Sequence, residues 1–312
     1  MSTVTWPISA RSRERANHSL RRAIGLTDDP PAACDDPQRA YRSIEGVARI
    51  VHGDLPSMLV GGLASLFLEM LHPYSMAGVA QHSRYRDDPL GRVRQTAHFI
   101  GLTTYGSREE ALAAIERVRT IHEYVRGVAD DGVAYRASDP RLLEWVHVAG
   151  TAMFLAAHQR FGATRLTSHQ YDNYVAEQAI VARDLGVSDP PLCVAHLRDA
   201  LDRFRPELRL SDEAIIARDF LRHGVVRGAR QRAAYALLVR SAFGVVPNWG
   251  RRLLDVPMIP EPAQLTLDAA THALSALMRV AVPPYQPQDD SVRTTASAPH
   301  RQPLPDRSRR TS

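Results

Sequence analysis

Residues 72–127 read HPYSMAGVAQHSRYRDDPLGRVRQTAHFIGLTTYGSREEALAAIERVRTIHEYVRG, and this stretch decides the fold. It predicts two helices joined by a tight polar turn, each with its own start signal. Asp88 followed by Pro89 is an N-cap and a first-position proline, where the missing N–H leaves no bond unmade. Ser107 and Glu110 have the spacing of a capping box. Gly127 is expected to supply a left-handed stop after the second helix. Neither here nor elsewhere is there sustained period-two alternation, so strands are minor at most. The fold class is all-α.

Arg92 and Thr96 lie four apart, on one face of the first helix. In the second, Ile115, Val118, His122 and Val125 form one stripe, which places His122 in an apolar row. An imidazole there must find a partner or a ligand. Read from the residues alone, such a histidine is more often a hydrogen-bonded core residue. An imidazole, a guanidinium and a hydroxyl on adjacent helices are also what a metal macrocycle bearing carboxylates would need.

Outward from this pair, residues 1–36 are polar and read as a mostly disordered arm, with one short helix in RANHSLRRAIGL. Tyr41–His52 carries a weak helical pattern. Ser57–Leu71 is an apolar helix that ends at His72-Pro73, and its Gly61-Gly62 pair suits close helix packing. The segment VADDGVAYRASDP after Gly127 reads as a loop with a turn at Asp131-Gly132. Asp139-Pro140 opens a further helix, and Thr167 to Gln170 forms a second capping box whose helix Gly186 ends. Helical segments follow over 195–204, 211–223, 231–243, 247–254 and 264–280, and residues 283–312 read as a disordered tail. One domain, 37–282, lies between two loose ends.

Composition excludes several functions. The formal charge is +5, but the basic residues are all arginine, 39 of them, and outside the tails they alternate with Asp and Glu. Nucleic acid binding would need a concentrated basic face. Cys34 and Cys193 have neither metal nor redox spacing. Met1 to Asp36 lacks the apolar core of a signal peptide, and the run from Leu55 to Leu71 is shorter than the ~20 residues of a transmembrane helix. A cytoplasmic setting is expected, with peripheral membrane contact open. No nucleophile elbow, phosphate loop or dinucleotide fingerprint occurs.

Two E-x-x-H pairs, Glu69–His72 and Glu144–His147, have the pattern of di-iron carboxylate proteins, with Glu116 and Glu177 available as the remaining carboxylates. A four-residue pattern arises easily by chance in a chain with 13 histidines. His147 is a second candidate axial ligand, and His82 and His98 flank the Arg92–Thr96 helix. Arg84, Arg86 and Arg92 suit carboxylates of a macrocycle, or equally Asp87 and Asp88 beside them.

HP-x4-GVAQHSRYRDDPLGRVRQT, TTYGSREEA, RVRTIHEYVRG and DPRLLEWVH together resemble the MpaB / rubber oxygenase (latex-clearing protein) family, over about residues 40–280. The resemblance implies an all-helical, globin-like core that binds haem b (iron protoporphyrin IX). It implies dioxygen chemistry on an alkene, an isoprenoid chain or a related lipid-like substrate. The family's arginine and threonine beside the haem match Arg92 and Thr96, and its axial histidine best matches His122, with His147 the alternative. Rubber-cleaving members have a lysine just before the threonine, where this chain has Gln95. They also have a glutamate sixteen residues before the arginine, where it has Met76. Polyisoprene cleavage itself is therefore not implied. His82 and Gln95 are the candidates for a distal hydrogen bond. A non-catalytic haem sensor or carrier would instead close the iron with two ligands, such as His122 with His82 or His147.

Overall fold

The computed structural model describes residues 14–19, 31–223, 225 and 228–285. Residues 14–19 are helical, within the segment expected to form a short helix. The remainder of the arm expected over 1–36, apart from 31–36, and the tail beyond 285 lie outside the described residues. Two fragments assigned to those loose ends are docked. The Cys34 N–H donates to the carbonyl of Tyr105 at 2.7 Å, and Arg49 Nη2 donates to the carbonyl of Cys34 at 2.7 Å. Tyr285 packs on Tyr105 and donates its hydroxyl to the carbonyl of Ile44 at 3.0 Å.

The first five helices are α1 (Val47–His52), α2 (Leu55–Glu69), α3 (Pro73–His82), α4 (Pro89–Tyr105) and α5 (Arg108–Tyr124). A two-stranded hairpin, β1 (Arg126–Val128) and β2 (Ala134–Arg136), leads into α6 (Pro140–Phe161) and α7 (Ser168–Leu185). The chain closes with α8 (Val194–Phe204), α9 (Asp212–His223), α10 (Ala229–Val245), α11 (Asn248–Leu253) and α12 (Glu261–Ala281). The described residues are all-α apart from that hairpin. No single helix among them is long and apolar enough to cross a membrane.

The starts obey the sequence. Asp88 Oδ1 accepts from the Gly91 N–H at 2.8 Å, and both capping boxes close, Ser107 with Glu110 and Thr167 with Gln170. Gly186 ends α7 in the left-handed region at φ 113°. Gly46 has no side chain to cap α1, so Glu177 does it from α7, accepting from the N–H groups of Val47 and Ala48 at 2.8 Å each.

Gly127 departs from expectation. Helix α5 ends at an extended Val125, and Gly127 lies in β1 against Gln81 and Tyr135. Here glycine serves close approach, not a left-handed stop. The expected loop is the hairpin itself, turning at Gly132 with φ 80°.

Helix α2 is the centre. Phe67 and Leu68 are fully buried with Trp145, Phe161 and Phe204, and the rings of Phe67 and the buried Phe243 stack at 4.2 Å. Helix α6 lies closest to α2 at Gly61, where an added Cβ would sit 2.8 Å from Phe154 Cδ1 and 3.0 Å from its Cα. Gly61→Leu is therefore expected to destabilise the protein by about 1–3 kcal/mol in urea unfolding, since backbone there cannot yield as a flexible side chain would.

Candidate active site

Helix α4 packs on α5 and α1 but makes no extensive contact with α2 or α6, and the side of α2, α4, α5 and α6 that this leaves open is the candidate cleft. Each helix presents one accessible stripe towards it. On α2 the stripe is Gly62, Leu66 and Glu69, and on α6 it is Leu143, His147, Gly150 and Phe154. Steps of three and four put each set on one face. The two faces meet, with Gly62 against Phe154, and Glu69 Oε1 lies 3.7 Å from where a Cβ on Gly150 would stand. Leu66 is 42% exposed although Phe67 and Leu68 beside it are at 0%. Val93 on α4, Ile121 on α5 and Val146 on α6 are likewise exposed large apolar residues. Open apolar side chains gathered on several helices mark a binding surface more than a finished core.

The opposite wall carries the polar groups. Arg92, Gln95 and Thr96 form the exposed face of α4, and His122 is half-buried near the end of α5. The Arg92 charge reaches both walls. Burial pushes the Glu69 carboxyl up to about 7, with Ser65 and Arg92 acting the other way. Burial also holds the His122 imidazole below its ordinary value, and Arg92 adds to that effect. His122 is thus a neutral imidazole at pH 7. No protein hydrogen bond to its ring contributes, and the ring retains accessible surface. Arg92 has no carboxylate partner among the described residues and makes only a long contact, Nη1 to Gln95 Oε1 at 3.5 Å.

His147 differs. Burial, then Arg42, pushes it down to about 4. Its Nδ1 lies 3.5 Å from Thr151 Oγ1, and its Nε2 is fully buried without a partner. A nitrogen with no accessible surface cannot take a ligand unless the helices move. At the base of the cleft the His52 ring meets Phe154 edge-on and bonds Thr104 Oγ1 at 2.8 Å and Tyr174 Oη at 3.0 Å. Burial, reinforced by Arg42 and His158, pushes His52 down to about 3. The part played by His52 was not legible in the sequence, because its partners lie 52 and 122 residues away.

Other candidates from the sequence lie as follows. His82 is exposed, and its Nε2 lies 3.2 Å from the carbonyl oxygen of Arg126, a contact that ties α3 to the hairpin. Arg84 meets Asp87 at 3.9 Å, and Asp88 receives Arg94 at 3.8 Å, so charge pairing occupies that turn. The six di-iron candidates are not gathered into one site. His72 faces Glu207 at 3.5 Å, and Glu144 pairs with Arg141 and Arg203. Glu116 pairs with Arg119, while Glu177 caps α1. Among the described residues no group of three or more His, Cys, Asp or Glu side chains is arranged to hold a metal ion.

Among the described residues the arrangement offers a reachable neutral imidazole, a guanidinium without a carboxylate partner, and apolar walls. A family model described as "ER-bound oxygenase mpaB/B'/Rubber oxygenase, catalytic domain" matches residues 49–282. The chain belongs to this family. The match spans α2 through α12, so every wall of the cleft lies inside the mpaB/rubber oxygenase catalytic domain. Comparison with curated proteins and with solved structures gave no match.

Proposed function

We propose that this member of the mpaB/rubber oxygenase family is a haem b-dependent oxygenase of hydrophobic substrates, cleaving an alkene or isoprenoid chain oxidatively. The observation that carries the reading is His122: a neutral imidazole, without a protein hydrogen bond among the described residues and accessible beside an open apolar surface. A neutral imidazole is the form that ligates iron. A macrocycle with carboxylates also needs a cation at its edge, and Arg92 has no carboxylate partner among the described residues. These residues fit the group.

In this reading His122 holds the iron, Arg92 takes a propionate through charge-assisted hydrogen bonds, and Thr96 lines the face one turn further along. Haem supplies the dioxygen chemistry when bound. The chain's own contribution is shape and exclusion of water. Leu66, Val93 and Val146 would lie against an apolar ligand and order it, while Gln95 is the one amide next to Arg92 able to donate a hydrogen bond on that face. The carrier alternative needs a second ligand, and neither a buried His147 Nε2 nor an outward His82 favours it.

Incubation of the haem-loaded protein with long-chain and short-chain alkenes under oxygen should yield carbonyl products and consume oxygen in proportion. Absence of both across the panel would count against the oxidative cleavage. Arg92→Ala is expected to weaken haem binding roughly 10- to 100-fold, the worth of one hydrogen-bonded charge pair, in a haem titration followed by absorbance. Unchanged affinity would remove Arg92 from the propionate role.

A further inference from the structure

We propose that Glu69 is the proton-transfer residue of the cleft, exchanging a proton with an oxygen that dioxygen has added to the bound substrate; this rests on the oxygenase reading above. Glu69 is the only charged residue of α2, and it sits on the accessible stripe of a helix whose other faces are core. It makes no ion pair among the described residues. The groups that face it are few. Arg92 acts on it from α4, and Ser65 on its own helix already donates to the carbonyl of Gly62 at 3.0 Å. Helix α6 presents Gly150, which leaves room before Oε1, and His147 lies one turn away. Trp145 Nε1 donates to the Glu69 carbonyl at 3.0 Å and anchors the backbone that carries the carboxyl.

An unpaired carboxyl in such a place costs stability, and an acid retained there despite the cost is a candidate for chemistry. Its proton affinity, raised by burial to about 7, suits exchange in both directions near neutral pH. Cleavage of a carbon–carbon double bond by one dioxygen gives two carbonyls with no net change in protons. Any proton lent must therefore return. The carboxyl O–H bond breaks as an O–H bond forms on an oxygen that dioxygen has added to the substrate, and that proton goes back to Glu69 as the oxygen becomes a carbonyl.

Glu69→Gln keeps the shape and removes the titration, and Glu69→Asp restores an acid. The folded carboxyl binds its proton more tightly than the unfolded one. The stability it contributes is therefore present below about pH 4.5 and lost as pH rises through about 7. The metal-free Glu69→Gln protein should accordingly outlast the wild type in urea at pH 8 and match it at pH 4. Infrared difference spectra of the metal-free pair should show one carboxyl that deprotonates near pH 7 in the wild type only. In the loaded enzyme, kcat/KM should fall above about pH 7, Glu69→Gln should lose roughly 10²- to 10⁴-fold together with that limb, and Glu69→Asp should keep the limb. A carboxyl titrating below pH 5, or a Glu69→Gln enzyme that retains both rate and limb, overturns the proposal. A wild type that takes up no haem refutes the functional reading instead, and the metal-free titration then decides for or against Glu69.

Discussion

Arg279→Ala is expected to cost about 3–5 kcal/mol of folding stability, because it strands a buried carboxylate. Asp54 is 1% exposed at the start of α2, and Arg279 reaches it from α12 with two bonds, Nε to Oδ1 at 2.8 Å and Nη2 to Oδ2 at 2.7 Å. The same guanidinium also donates to the carbonyl of Phe161 at the end of α6. One side chain thus ties the last helix to both helices that cross at Gly61. Removing the cation alone leaves the anion without solvent or partner. Removing both charges, as Asp54→Asn with Arg279→Met, is expected to recover much of the loss, since the pair's own net worth is small. Urea unfolding of the single and double variants measures this. A single-variant loss below about 1 kcal/mol would show that the pair behaves as a solvated one.

Much of the fold could be read directly because helix starts are local chemistry. Asp88 and the capping boxes at Ser107 and Thr167 each concern atoms within one turn, and all three close. Gly127 shows where that reasoning ends. A glycine after an apolar helix has the look of a stop, yet its place is fixed by Gln81 and Tyr135 from other elements. The contact of His82 with the carbonyl of Arg126, 44 residues away, is equally invisible to local reasoning. The cleft was half legible. Spacing put Arg92 and Thr96 on one face and His122 on an apolar stripe, but nothing local says that α4 stands away from α2. Glu69 did leave a signal, as the one charge in the run from Leu55 to Leu71. Its pairing with His72 in an E-x-x-H pattern pointed to a metal site, whereas His72 faces Glu207 and Trp145 in the core.

His122→Ala is expected to reduce haem affinity roughly a hundredfold or more, beyond the 10- to 100-fold typical of losing a residue that only supports a metal ligand. The substitution removes the one unbonded, accessible imidazole on the α5 wall and leaves the apolar surface in place. Added imidazole should therefore restore part of the spectrum, which a collapsed cleft would not allow. His147→Ala should do little to the haem spectrum, because its Nε2 is closed to ligands, although loss of a packed ring will lower stability. The direct measurement is the absorption spectrum of haem-supplemented wild type, His122→Ala and His147→Ala protein. An intense Soret band in wild type and His147→Ala, lost in His122→Ala, is the predicted result. No band in the wild type, or a band that survives His122→Ala and vanishes in His147→Ala, would contradict it.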